Sequence, residues 1–336
     1  MAALCTQEID VGWSEQLMLS YDKLMLAQQA KELGFQRDTF EKALRLVDVL
    51  KFFEADPLLS TRLALKGGTA INLIMFKLPR LSVDIDLDYA LNNSKEEMLA
   101  EREQIIDILK KYMAMKGYVL SDKSKFTYAL DSFVFVYVNS AGVRDNLKVE
   151  INYSLRCHVL PLVSCNVEGL GDLGGGVRVL CVAPVEIFAS KIVALLSRTA
   201  ARDLYDVNNV LARGVFGEAQ QELVRKCVVF YLAISGDVRF VSFVVEEVVE
   251  RVFGLGWYQI SRELQPVLCK SEVFDLEAAQ ERVGQYLKGL LVLNADEHKF
   301  LDSFKNNVYC PEAVFNGEIL ERISLHPMAR WRTREE

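Results

Sequence analysis

Residues 66–88 read Lys66-Gly67-Gly68-Thr69-Ala70-Ile71-Asn72-Leu73-Ile74-Met75-Phe76-Lys77-Leu78-Pro79-Arg80-Leu81-Ser82-Val83-Asp84-Ile85-Asp86-Leu87-Asp88. Gly67-Gly68-Thr69 is a small-residue turn at the head of an apolar run. Asp84-Ile85-Asp86 places two acids one residue apart in a segment that reads as a strand. Strand side chains alternate between faces, so Asp84 and Asp86 point the same way. Two carboxylates on one face repel each other unless a cation neutralises them. Hard oxygen ligands of this kind suit Mg²⁺, which is held by one or two carboxylates plus substrate phosphates. The glycines let the backbone approach a triphosphate closely, and Thr69 adds a hydroxyl. Alone, a Gly-Gly-Thr turn is usually just a turn, and an Asp-x-Asp pair is usually a solvated strand end. Together, with Arg80-x-Ser82 between them, they read as a place where a nucleotide is held and a metal put on its phosphates.

Length and composition bound what surrounds this stretch. The 336 residues are enough for two domains. At 51% hydrophobic and 25% charged, the chain reads as folded and soluble rather than disordered. The formal net charge is −7, whereas a protein that coats nucleic acid non-specifically is normally basic. An RNA partner must therefore meet a local basic patch. Seven scattered cysteines without a Cys-x-x-Cys pair are poor zinc spacing and suit a reducing compartment. His158, His298 and His326 lie far apart, which argues against a histidine-rich metal site or a Ser-His-Asp hydrolase. The start, Met1-Ala2-Ala3-Leu4-Cys5 with Glu8 and Asp10 close behind, has no basic region and no long apolar core, so no signal peptide is expected. No apolar run reaches membrane-spanning length, and a cytoplasmic location is expected.

Working outward, the pattern is helices, then alternating strands, then helices. Leu17, Tyr21, Leu24 and Met25, and again Phe40, Leu44, Val47 and Leu50, recur at helical spacing. This predicts two helices over 13–56, divided at Gly34, with Asp38 capping the second. Asp56-Pro57 marks a break, and the helical layer is expected to pack on the strands beyond it. Residues 60–76 read as a helix or a strand–turn–helix, and a helix starting at the glycine turn would aim its first N–H groups at an anion. Residues 82–90 are the acid-bearing strand, with Asp88 on the same face as an outer-shell or solvated acid. Ser94 and Glu97 form a capping box for a helix over 94–117 that ends at Gly117. Residues 126–139 and 146–155 alternate as strands. In the second, Val149, Ile151 and Tyr153 make one face and Lys148, Glu150 and Asn152 the other. Glu150, flanked by apolar neighbours, needs a partner; Arg144 or Arg80 would give a plain salt bridge. Gly174-Gly175-Gly176 is followed by no Gly-Lys-Ser/Thr and reads as a flexible hairpin tip, before a strand over 177–182.

Pro184 and Glu186 open a long helix. It carries Lys191, Arg198, Arg202 and Asp206 at steps of seven, four and four, within one face, with Asp203 to the side. Three cations and an acid in one stripe suit a triphosphate-binding wall and would offset the charge that builds during phosphoryl transfer. An exposed helix bearing Arg–Asp pairs is the plainer reading. Lys191 is assigned to the nucleotide phosphates, and Arg202 and Asp206 to each other as a buttress. From 215 to 310 the chain reads as mostly helical, with apolar core segments over 224–234 and 240–252. Cys310-Pro311 breaks the pattern, residues 312–325 read as a helix, and His326 is read as structural.

Lys66-Gly67-Gly68-Thr69-Ala70 followed by Arg80-x-Ser82-x-Asp84-Ile85-Asp86-Leu87 resembles the first motif of the AbiEii-type nucleotidyltransferases. These are toxins of bacterial type IV toxin–antitoxin and phage-defence (abortive infection) systems, within the DNA polymerase β-like superfamily. The segment 147–153 and the Lys, then Arg, then Arg-Asp-x-x-Asp pattern over 186–210 resemble later family motifs. Elsewhere the resemblance is one of layout. Where many superfamily members carry Gly-Ser, this chain has Gly68-Thr69, a hydroxyl for a hydroxyl. The resemblance implies an α+β fold. Residues 1–183 would hold N-terminal helices and a polymerase β-like mixed-sheet core, and 184–336 a helical C-terminal domain, with the nucleotide in the cleft between them. It implies catalytic roles for Asp84, Asp86, Glu150 and Lys191, with Mg²⁺ or Mn²⁺ on Asp84 and Asp86. It implies a nucleotide held by Gly67, Gly68, Thr69, Arg80, Ser82, Lys191, Arg198, Arg202 and Asp206. Glu150 would activate the acceptor hydroxyl or add a metal ligand. The implied reaction is transfer of NMP from an NTP to RNA, at the tRNA 3′ end, which blocks translation. A cognate antitoxin from the same operon is the implied partner. Nucleotide transfer to a protein side chain and a non-catalytic nucleotide-binding module are the alternatives. The presence of all three acids speaks against the module.

Overall fold

The alternating segments join one sheet. The computed structural model describes residues 21–76, 79–167, 170, 176–235 and 245–333. Leu17, Gly174-Gly175 and the first part of the 240–252 segment lie outside the described residues. In chain order the strands are β1 (Leu63–Lys66), β2 (Asp84–Tyr89), β3 (Val119–Leu120), β4 (Lys125–Phe126), β5 (Leu130–Val138), β6 (Arg144–Asn152), β7 (Val163–Val167) and β8 (Val177–Cys181). Their order across the sheet is β3-β5-β6-β2-β1-β8-β7, with β4 also on β5. β2 runs parallel to β6, and β1 runs parallel to β8, whereas β1–β2, β5–β6 and β7–β8 are antiparallel. The sheet is therefore mixed, within an α+β fold.

Register decides which side chains meet. Lys66 lies opposite Asp86. Asp84 lies opposite Lys148, Asp86 opposite Glu150 and Asp88 opposite Asn152. Side chains alternate faces along each strand, so these polar residues share one face. Leu65, Ile85, Leu87, Val149 and Ile151 share the other and are buried. Each such burial contributes about 1.5–3 kcal/mol relative to exposure. A slip of one residue would turn this apolar set to the wrong side. The apolar face thereby fixes the register that gathers the carboxylates.

Helices cover that apolar face. α1 (Lys23–Glu32) and α2 (Arg37–Ala55) precede the sheet, and α2 packs against β6 and β8. Phe40, Leu44, Val47 and Leu50, the helical-period residues, are all buried. Asp38 does not cap α2: the cap position is Gln36, and Asp38 sits in the first turn, paired with Arg37 at 2.8 Å. An acid there still complements the helix dipole. Buried Glu41 accepts hydrogen bonds from Arg45 Nε (2.9 Å) and from Ser140 N (2.9 Å) and Oγ (2.6 Å), which ties α2 to the β5–β6 turn. α3 (Leu59–Arg62) leads into β1. α4 (Gly67–Ala70) comes after it and continues as a π turn, Ile71–Met75. α5 (Lys95–Met115) carries the capping box of Ser94 and Glu97. Its Arg102 donates to buried Asp131 (Nε, 3.0 Å) and to the Thr127 carbonyl (2.6 Å), fixing it to the β4–β5 edge.

After β8, the chain is helical: α6 (Pro184–Arg198), α7 (Ala201–Ala212), α8 (Glu218–Ser235), α9 (Val245–Phe253), α10 (Trp257–Gln259), α11 (Leu276–Leu290), α12 (Ala295–Lys305), α13 (Gly317–Ile323) and α14 (Pro327–Arg332). Pro184 occupies the first turn of α6, where its missing N–H is no loss. One backbone bridge, Arg80 with Leu268, links the segment before β2 to this helical part.

Candidate active site

Gly67 turns the chain out of β1 with φ +67°. A Cβ there would stand 2.5 Å from Asp86 Oδ2, and one at Gly68 would stand 2.9 Å from Arg80 Nη2. Both positions therefore need glycine, the first for its backbone angle as well. The Thr69 hydroxyl donates to the Asp84 carbonyl oxygen and lies 2.7 Å from Ser82 Oγ. Asn72 Nδ2 donates to the Gly68 carbonyl at 2.8 Å. Thr69 is fully buried. The hydroxyls expected at a triphosphate thus face inward, where Thr69 and Ser82 clasp the glycine turn onto β2.

The turn forms one wall of a cleft of about 350 Å³, bordered by Lys66, Gly67, Gly68, Asp86 and Asp88 on the sheet side and by Ser190, Lys191 and Arg198 of α6. Asp84 and Glu150 stand beside Asp86 on the same sheet face. Burial raises the Asp86 carboxyl above the ordinary carboxylate range; Lys66 opposes this, while Asp84 and Glu150 push it further up. Asp88 behaves in the opposite way. Burial would raise it, but an ion pair with Lys66 and the His158 ring at 3.3 Å hold it below the ordinary value. At 4% exposure Asp88 is a buried, paired acid rather than a solvated one. Glu150 pairs with neither Arg144 nor Arg80. Its partner is Lys148 at 2.7 Å, two residues back on the same strand face.

Asp84 and Asp86, both partly exposed on one face, form an oxygen-donor pair whose negative charge Lys66 and Lys191 offset in part. This donor set suits a divalent cation whose remaining ligands come from phosphate and water. Among the described residues no group of three or more His, Cys, Asp or Glu side chains could hold a metal by itself.

The second wall departs from the single long helix that the spacing predicts. Thr199 adopts a left-handed conformation, φ 49°, and ends α6 at Arg198 before α7 begins. Asp203, expected to the side, moves to the centre. It accepts from Lys191 Nζ at 2.9 Å, Arg198 Nε at 2.6 Å and Arg198 Nη2 at 2.9 Å. Burial acts to raise its carboxyl, but Lys191 and Arg198 outweigh burial and bring it to about 2. Asp206 is also buried. It pairs with Arg80, at 2.8 Å from Nε and 2.6 Å from Nη2, and with Lys191 at 3.1 Å. Arg80 is 2% exposed, and its remaining bond goes to the Leu81 carbonyl. The expected Arg202–Asp206 pair does not form: Arg202 Nε donates to the Glu263 carbonyl at 2.7 Å. Arg80 takes the place of Arg202 because it reaches Asp206 as a planar two-pronged donor. Arg80, Arg202 and Asp206 are accordingly a buttress, and Lys191 and Arg198 are the α6 cations that border the cleft, opposite Lys66.

The family model for the nucleotidyl transferase AbiEii toxin of type IV toxin–antitoxin systems matches residues 51–304. The chain belongs to this family. No curated protein matches its sequence. Among solved structures it is similar to MenT4, a nucleotidyltransferase toxin from Mycobacterium tuberculosis H37Rv, with a TM-score of 0.59 and 20% identity, over 85% of this chain and 98% of that one. That likeness is one of fold. Membership makes this chain a nucleotidyltransferase of the AbiEii toxin class. Among the described residues, no helix is long and apolar enough to cross a membrane.

Three residues of this AbiEii chain escape a reading of the sequence. Lys66 and Lys148 flank the acids, and His158 backs Asp88. Lys66 is legible in hindsight, because it ends a strand directly before the glycine turn. Lys148 needs the β2–β6 register and His158 needs the tertiary fold. His326 is structural: it caps α14, its Nδ1 accepting from Ala329 N at 3.2 Å, and burial pushes its imidazole down to about 3.

Proposed function

We propose that this AbiEii nucleotidyltransferase moves NMP from an NTP to the 3′ end of a tRNA, with Mg²⁺ or Mn²⁺, and so blocks translation in a system restrained by a cognate antitoxin. The observation that carries the reading is the position of Asp86. It stands opposite Glu150, against Gly67, in a cleft whose far wall holds Lys191. A divalent cation bound by Asp84 and Asp86 would neutralise triphosphate charge and polarise the α-phosphate. Gly67 and Gly68 present backbone to the triphosphate. Lys191 stays charged: burial acts to lower it, but Asp206 and Asp203 outweigh burial. It donates to Asp203 and pairs with Asp206, and because it borders the cleft it can also meet a phosphate oxygen. Arg198 is held by Asp203 and adds a second cation at the cleft mouth. Glu150 takes the proton of the acceptor hydroxyl as its oxygen attacks the α-phosphate in line, and pyrophosphate leaves. Thr69, Ser82, Arg80, Arg202 and Asp206 hold these groups in place. We take 184–336 as the helical domain that supplies the second wall.

The test is incubation with each α-labelled NTP, Mg²⁺ and total cellular RNA, alongside Asp86→Ala. Label in the tRNA band with the unmodified chain alone is the expected result, and it names the base used. Label on protein and none on RNA would turn the reading to side-chain modification. NTP binding without transfer to anything would leave a nucleotide-binding module.

A further inference from the structure

A larger cleft, of about 1010 Å³, opens beside the first, and Ser154 and Met328 border both. Its walls come from the start of α5, the loop before β5, the segment after β6, and α14. Among the described residues no carboxylate borders it, although the chain carries a net charge of −7. Glu96 and Glu97 lie in the first turn of α5 but do not line it. Lys95 and Arg330 on its walls are exposed. Tyr128 and Trp331 are 56% and 60% exposed, large aromatic surfaces that the fold leaves to solvent. Lys95 Nζ stands 5.3 Å from the Tyr128 ring centre, and Arg332 Cζ stands 5.4 Å from that of Trp331. Cations interleaved with exposed aromatic faces suit a strand of unpaired bases, which stack while their phosphates meet the charges.

Arg156 makes the case sharper. It borders this cleft yet is 8% exposed. One nitrogen donates to the Tyr153 carbonyl at 3.1 Å, and Nε has no partner among the described residues. No carboxylate among them pairs with it. A buried guanidinium without an anion is strongly unfavourable, and a phosphate oxygen would supply the missing partner with matching geometry. An acidic polypeptide would satisfy the cations but leave the aromatic faces without stacking partners.

We infer that this cleft holds the single-stranded end of the RNA acceptor: a phosphate meets Arg156, bases stack on Tyr128 and Trp331, and the terminal hydroxyl passes Ser154 toward Asp86. The inference rests on the proposed transfer to RNA and names the surface that selects the acceptor.

The experiment titrates the full chain against a short 5′-labelled single-stranded RNA with a free 3′ hydroxyl, by fluorescence anisotropy. NTP binding is measured separately by calorimetry without RNA. Arg330→Glu with Trp331→Ala, both exposed positions, should weaken RNA binding at least about tenfold. It should also flatten the salt dependence by about 0.7 for each phosphate that is no longer neutralised, with NTP binding unchanged. Arg156→Gln should weaken RNA binding likewise while NTP binding reports that the fold is kept. RNA affinity unchanged in both variants overturns the cleft and leaves the transfer reaction standing. A chain that binds NTP but no RNA overturns both. Loss of RNA binding in the variants of a chain that binds no NTP supports the cleft and removes the transfer reading. Equal displacement of the RNA by single-stranded DNA or by polyglutamate assigns the surface to that partner and overturns the inference.

Discussion

Gly67 shows how much one residue decides. Its left-handed backbone turns β1 into α4, and the missing side chain lets the turn touch Asp86. Gly67→Ala meets two obstacles. The backbone angle costs about 1–2 kcal/mol for an L-residue, and the new methyl would overlap the Asp86 carboxylate. The expected outcome is a loss of at least that much in urea-unfolding stability. Nucleotide transfer should fall by about tenfold or more, because a displacement of about 1 Å at a reacting group is costly. Wild-type transfer in a correctly folded Gly67→Ala chain would remove the turn from the site. The turn at Gly67-Gly68 and the shared face of Asp84 and Asp86 were legible from local sequence, but the reason Gly67 must be glycine, its contact with Asp86 across the strands, was not. Nor was the inward turn of the Thr69 hydroxyl, because its acceptor is the backbone of β2.

At the scale of elements, the α6–α7 junction matters most. Periodicity reads one long helix from Pro184 past Asp206, and the left-handed Thr199 breaks it. The break swings Asp203 between Lys191 and Arg198, so one buried carboxylate fixes both α6 cations of the cleft. Asp203→Ala leaves Lys191 buried with Asp206 as its remaining acid and should destabilise the fold by about 3 kcal/mol. The pH dependence has a definite sign. The folded-state value of Asp203, about 2, lies below an unfolded value of about 3.9. The stability from this pair is therefore complete above pH ~4 and is lost as pH falls toward 2. Urea midpoints of the wild type and Asp203→Ala across acidic pH should converge there, and a constant gap would contradict the assignment. Sequence spacing found the charged residues of this wall but mispaired them, since helical geometry cannot show that Arg80 arrives from another part of the chain.

For the whole molecule, the site is a local concentration of charge that the fold tolerates for chemistry. The Asp86 carboxyl is raised, so the folded state binds its proton more tightly than the unfolded state does. That contribution favours folding below the unfolded carboxylate value and is lost as pH rises through the folded one. Burial, Asp84 and Glu150 thus disfavour the ionised form of Asp86. Asp86→Asn should therefore raise the melting temperature without metal while abolishing transfer. Mg²⁺ should stabilise the wild type, by about 2.7 kcal/mol at a hundredfold excess over its dissociation constant, and should leave Asp86→Asn unmoved. Equal Mg²⁺ responses from the two chains, read by thermal unfolding at pH 7, would place the metal elsewhere.

The sequence by itself determined the strands over 82–90, 126–139, 146–155 and 177–182, the main helical stretches, the glycine turn, the acid pair and the family they resemble, though not the short strands at 119–120 and 163–167 or the break at Thr199. What it determined depends on period, local backbone freedom and residues a few positions apart. Only the tertiary structure decided the rest. It set Asp86 against Glu150 through strand register, and it recruited Arg80 to Asp206 and His158 to Asp88 from distant segments. It also brought the start of α5 and α14 together around a cleft that no carboxylate among the described residues borders, in an acidic protein. Such pairings arise from how the buried faces pack, and packing is a property of the whole chain that no local spacing records.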